Sequence, residues 1–160
     1  MELKTVPIAV PDGVNAVIGQ SHFIKTVEDL YEIMVTTVPG AAFGLAFNEA
    51  SGACLVRADG NDEGLIAAAV EASASIAAGH AFVLLMKDAY PINVLNRIKD
   101  CPEVCRIFCA TANPLDVIVA ETDQGRGILG VVDGSPPRGV ETDADREWRR
   151  SFLRTIGYKR

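Results

Sequence analysis

The sequence predicts an α+β fold: one domain in which helices cover a layered, mostly antiparallel sheet. Three observations predict it. Strand-like apolar segments follow one another across short turns, four separate segments carry helical periodicity, and no low-complexity tract or linker divides the 160 residues. Tight hairpins outnumber long crossovers, and short connections favour antiparallel pairing.

Leu3 to Val10 and Val14 to Ser21 are predicted as strands around the turn Pro11-Asp12-Gly13. Val27, Leu30, Tyr31, Met34, Val35 and Val38 then share one face at 3.6-residue spacing, which predicts a helix. Thr26 is its expected N-cap, Asp29 sits favourably in the first turn, and Pro39-Gly40 ends it. Phe43 to Asn48 and Cys54 to Ala58 make a hairpin. Asn61 is the expected cap of a second helix running to Gly79, whose many alanines imply close approach to a sheet. Phe82 to Met86 has the composition of a buried strand, and Pro91 opens a third helix, Ile92 to Ile98. Val104 to Ala110, Val117 to Glu121 and Ile128 to Val132 are three further strands. After the irregular segment 133–139, a last helix stacks Trp148, Phe152 and Ile156 at i, i+4 and i+8.

A chain of this length buries enough surface to fold without disulfides or a structural metal. No apolar run approaches the roughly 20 residues a membrane span needs, and the start does not read as a signal peptide. A cytoplasmic protein with free thiols at Cys54, Cys101, Cys105 and Cys109 is expected. The net charge of −6 opposes nucleic-acid binding, which needs a basic footprint. The last fifteen residues carry about +5, leaving the remainder near −11. A basic helix docked on its own acidic body or on a neighbouring subunit accounts for this asymmetry.

Gly125-Arg126-Gly127-Ile128-Leu129-Gly130 spells G-x-G-x-x-G, but strand follows it where a dinucleotide loop requires a helix. The wider match to the glycine-rich hairpin of protein kinases lacks every partner motif of that fold. A turn needing positive φ remains, with Arg126 at its tip as a cation that could meet phosphate. Cys101, Cys105 and Cys109 form C-x₃-C-x₃-C, yet Pro102 interrupts them and Cys105 and Cys109 would share one face of a strand. No metal ligand set is assigned, and the cysteines are expected to be dispensable.

His22 precedes a helix N-terminus, where free N–H groups and Lys25 favour an anion, whereas His80 follows a helix C-terminus, which favours a cation. His22 is therefore the physical choice for handling phosphate, although a structural role for either histidine stays open. Polar residues gather at element ends: Arg57, Asp59, Asn61 and Asp62 most densely, then Asn93 and Asn113. Capping explains Asn61 and Asp62; Arg57 and Asp59 have no such local use and rank higher as functional.

Several ordered segments resemble the adenosine-specific kinase family. They include His22-Phe23-Ile24-Lys25-Thr26, Phe43-Gly44-Leu45-Ala46-Phe47, Arg57-Ala58-Asp59-Gly60-Asn61-Asp62, Pro91-Ile92-Asn93-Val94-Leu95-Asn96, Cys109-Ala110-Thr111-Ala112-Asn113-Pro114 and Gly125 to Gly134. The resemblance runs nearly end to end. It implies a layered α/β architecture, binding of adenosine and AMP, a phosphotransferase activity involving histidine, and a homo-oligomer, specifically a trimer. Position 48 is Asn, where Cys is expected in many relatives, which argues against a thiol role there.

Two functional classes follow. As a kinase, the chain would pass a phosphoryl group to adenosine through His22, with Asp59 activating the ribose hydroxyl. Lys25, Arg57 and Arg126 would stabilise the phosphoryl oxygens, and Asn61, Asp62, Asn93 and Asn113 would complete the substrate site. No cofactor is expected to be permanently bound, but Mg2+ would accompany ATP if ATP is the donor. As a binding protein, the chain would sense or buffer adenosine and AMP without chemistry. The absence of a Walker sequence favours the second class, and the paired carboxylate and cationic positions favour the first.

Overall fold

The computed structural model describes residues 1–160. Twelve elements run in the order β1 (Glu2–Ile8), β2 (Asn15–Ser21), α1 (Thr26–Thr37), β3 (Ala42–Asn48), β4 (Val56–Gly60), α2 (Glu63–Ile76), β5 (Ala81–Lys87), α3 (Pro91–Lys99), β6 (Val104–Thr111), β7 (Leu115–Glu121), β8 (Arg126–Asp133) and α4 (Asp143–Thr155). The strands form two sheets, β4-β3-β5-β2-β6 and β1-β7-β8, with every neighbouring pair antiparallel. This is the predicted α+β class.

Burial explains the layering. The larger sheet is apolar on both faces: Phe82, Leu84 and Met86 of β5 point into one cluster, and Ala81, Val83 and Leu85 into another. The first cluster packs on α1 through Val27, Leu30 and Met34, and on α3 through Val94 and Ile98. The second packs on α2 through Leu65, Ala69, Ala72 and Ile76, and on the smaller sheet through Leu115, Val117 and Val119. A strand buried on both sides reads as a continuous apolar run rather than an alternating one. The alanine-rich face of α2 lies very close to β3. A Cβ added at Gly44 would stand 2.2 Å from the backbone of Leu65 and Ile66, so only glycine fits there.

Five expectations are corrected. The turn at Pro11-Asp12-Gly13 does not close a hairpin. Val14 donates to Pro11 O, but β1 pairs with β7 while β2 pairs with β5 and β6 in the other sheet. Thr26 is not an N-cap; it is the first helical residue, fully buried, and its hydroxyl donates to Phe23 O at 2.5 Å. Asp62 caps α2 by accepting from Leu65 N at 2.9 Å. Asn61 instead ties two strand ends, accepting from Phe43 N and donating to Ala41 O, each at 2.8 Å. Two register shifts in the β2–β6 ladder break the alternation of β6, leaving Cys105 exposed and Cys109 buried. Finally, α4 buries no residue, so the basic helix does not dock on its own body.

Candidate functional site

The antiparallel register gives the larger sheet two ends. At one lie Asn48, Val56, Ala81, Ser21 and Val104; at the other lie Ala42, Gly60, Lys87, Asn15 and Thr111. A seven-residue strand separates them by about 20 Å. The nine predicted site residues divide accordingly. His22, Lys25, Arg57 and Arg126 belong to the first end, where Arg126 joins through its bridge to Ala78. Asn61, Asp62, Asn93 and Asn113 belong to the second. Asp59 lies between them on edge strand β4, exposed, accepting from Gly60 N at 2.7 Å.

The second group is taken up by local structure. Besides Asn61 and Asp62, Asn93 accepts from Tyr90 N at 2.9 Å in the capping box of α3. Asn113 donates to Asp133 at 3.0 Å, joining the start of β7 to the end of β8.

The first end holds a cleft of about 840 Å³. Its walls are the β3–β4 hairpin, the C-terminus of α2 and the glycine-bearing β7–β8 hairpin. Ala74, Ala77, Ala78, Leu55 and Val56 supply apolar surface, while Glu49, Thr122, Gln124 and Arg126 supply polar groups. A narrower continuation of about 140 Å³ shares Ala78, Gly79, Arg126 and Gly127 with it and reaches Gln20, two residues before His22. The helix α2 presents its carbonyl end here, with Ala77 in the left-handed conformation at its cap. That end attracts N–H and O–H donors and repels anions.

Asn48 builds the cleft wall from beneath. Its amide donates to Ser73 O at 2.9 Å and Ala78 O at 3.0 Å and accepts from the Ser73 hydroxyl at 2.8 Å, pinning β3 to α2. Glu49 accepts from Leu55 N and from Arg57, each at 2.8 Å. The Leu55 N–H and then the Arg57 guanidinium hold its carboxyl below the usual carboxylate range. Arg126 pairs with Glu121 and donates to Ser75 O at 3.1 Å. Glu121 is also paired with Lys4, and these two cations hold it ionised. Glu49 is the carboxylate that lines the cleft, and sequence reasoning placed that role on Asp59. The signal available for Glu49 was its position in the hairpin turn opposite Arg57.

The histidines sit on adjoining strand ends, because Ser21 N donates to His80 O at 2.9 Å. His22 is exposed, and its backbone N–H donates to Glu103 O at 3.0 Å. His80 adopts φ 63° and stacks its ring on Phe47, centroids 5.9 Å apart. Lys25 lies 2.6 Å from Asp29 and 3.5 Å from Glu103, so the expected anion-binding cation already faces two carboxylates.

Fold and cleft together define an α+β protein with two antiparallel sheets and a cleft of about 840 Å³ at one sheet end. The adenosine-specific kinase family profile matches residues 6–159, and the chain belongs to that family. Family membership implies adenosine-specific kinase activity, with adenosine as substrate. Among solved structures, the chain is similar to the PH1918 protein from Pyrococcus horikoshii OT3. The two are 48% identical with a TM-score of 0.95, over 99% of this chain and 98% of that one. No protein of curated function matches. No helix is long and apolar enough to cross a membrane.

Proposed function

We propose that this chain binds adenosine and AMP in the 840 Å³ cleft and transfers a phosphoryl group to adenosine by way of His22. The observation that carries the proposal is the cleft itself, which falls within the size range of small-ligand sites, about 300–1,000 Å³. Its alanine-lined surface suits a purine face. The carbonyl end of α2 suits the amino group of adenine and the hydroxyls of ribose. Glu49, held ionised, is an acceptor for ribose hydroxyls. The phosphate of AMP belongs beyond Arg126, in the narrow continuation lined by Gln20, Arg126 and Gly127.

In the transfer, an imidazole nitrogen of His22 attacks the donor phosphorus, forming a P–N bond while the donor P–O bond breaks. The adenosine 5′-hydroxyl then attacks the same phosphorus; the P–N bond breaks, the new P–O bond gives AMP, and the hydroxyl proton leaves to water. A covalent carrier splits one transfer into two easier ones. Mg2+ would arrive with ATP as part of the donor.

One observation favours the second reading, a non-catalytic adenosine-binding protein. Lys25, Arg57 and Arg126 are each already paired with a carboxylate, so none stands free to meet phosphoryl oxygens.

Assembly belongs to the same proposal. Trp148 (66% exposed) and Phe152 (45%) stack on each other along the uncovered α4, and Leu3, Leu129 and Val132 of the smaller sheet are also exposed. An acidic body beside a basic, aromatic helix is self-complementary, so a second copy is the partner proposed for α4, within the trimer that family resemblance implies.

The cleft is tested by Ala74→Trp, a substitution at an exposed helical position that places an indole in the pocket. Calorimetry should show adenosine affinity falling at least tenfold with the fold intact. Unchanged affinity would place the nucleoside elsewhere.

A further inference from the structure

On the opposite face of the larger sheet, three side chains from separate segments converge. Asp29 lies in the first turn of α1, Cys101 just beyond α3, and Glu103 just before β6. One ligand atom from each lies within 4.8 Å of the other two. Glu103 is 1% exposed, and neither of its carboxylate oxygens has a hydrogen-bond partner. A buried carboxylate with bare oxygens is costly unless it is paired or coordinates a metal. The nearest cation, Lys25, stands 3.5 Å from Glu103 and is held at 2.6 Å by Asp29. An access route exists, because Asp29 and Cys101 line a groove of about 430 Å³ open to solvent.

We propose that Asp29, Cys101 and Glu103 form a site for a thiophilic divalent cation, zinc in the first instance. A sulfur ligand selects zinc or a late first-row metal over magnesium and calcium, which require oxygen donors. Three protein ligands leave a fourth tetrahedral position, facing the groove, for water. Donor atoms around tetrahedral zinc stand about 3.3–3.8 Å apart, so the cluster contracts by about an ångström on binding. Cys101 releases its thiol proton to solvent as the metal–sulfur bond forms. The thiolate and two carboxylates around a dication leave one negative charge, which Lys25 balances from its place beside Asp29.

The site is not the C-x₃-C-x₃-C set. It takes Cys101 alone from those three cysteines and joins it to acids that sequence spacing does not connect. It also touches the neighbourhood of His22, because Glu103 O accepts from His22 N and from the Ser21 hydroxyl, each at 3.0 Å. Metal binding would fix the loop that holds the His22 backbone.

The test uses the full chain, stripped with a chelator and without nucleoside, so that its outcome is independent of adenosine binding. Zn2+ is titrated by calorimetry and Co2+ by absorption. One equivalent of each should bind, with a thiolate-to-cobalt charge-transfer band. Affinity should fall at least tenfold in Cys101→Ser and in Asp29→Asn, and be unchanged in Cys105→Ser. Asp29 is partly exposed, so Asp29→Asn reports on the site even if a variant at buried Glu103 fails to fold. Absence of stoichiometric binding, or binding undiminished by Cys101→Ser and Asp29→Asn, would overturn the proposal.

Discussion

Asn48 shows how much a single side chain contributes to the cleft. Its amide satisfies two carbonyls and one hydroxyl in a buried setting. Removing one partner of a buried hydrogen bond leaves the others to bear their desolvation cost, about 1–3 kcal/mol. Asn48→Ala should therefore destabilise the chain by about 2 kcal/mol and loosen the α2 C-terminus, measurable as a lower urea midpoint with little change in slope. Sequence reasoning could name the polar residues at element ends but not their partners. Asn61, Asp62 and Asn93 look like site residues because capping chemistry and binding chemistry use the same side chains. Only the structure shows that each of them already bonds backbone. Glu49 and Arg57 form the opposite case, since the predicted hairpin already placed them opposite each other and the structure pairs them.

At the scale of elements, hydrophobic periodicity together with Pro91 located all four helices, and apolar runs located the strands to within a few residues. What periodicity does not encode is partnership. The segments on either side of Pro11-Asp12-Gly13 look like a hairpin, yet the ladder sends β1 to β7 across the molecule. Two alternations of buried residues, one per sheet, satisfy the sequence as well as one shared hairpin does. Close packing of α2 on β3 was legible in its alanines, and Gly44 makes it testable. Gly44→Ala drives a methyl group into the α2 backbone and should cost about 3 kcal/mol, read by thermal or chemical denaturation. A loss below about 0.5 kcal/mol would mean that the two elements are not in van der Waals contact. The amphipathic α4 tests assembly. Replacing both Trp148 and Phe152 with Ala should leave the fold intact and lower the mass measured by light scattering, whereas a monomer before substitution would contradict the partner assigned to this helix.

For the whole molecule, the class of fold was readable because each layer's burial pattern is local, whereas the cleft was not, because its walls come from three distant segments. The β7–β8 hairpin meets the α2 C-terminus through the bridge between Ala78 and Arg126 and the Arg126 bond to Ser75 O, and no sequence spacing announces that contact. The glycine-rich motif thus lines the cleft as a hairpin and does not open a helix. The proposed transfer uses neither the Walker nor the protein-kinase design, and His22 is its proposed carrier. The decisive measurement is incubation of the pure protein with adenosine and a panel of phosphoryl donors, following AMP formation and acid-labile phosphate on the protein, for the native chain, His22→Ala and His80→Ala. AMP formation together with acid-labile phosphate, both abolished in His22→Ala and retained in a folded His80→Ala, is the predicted result. AMP formation that survives His22→Ala, or no AMP from any donor despite bound adenosine, would contradict it.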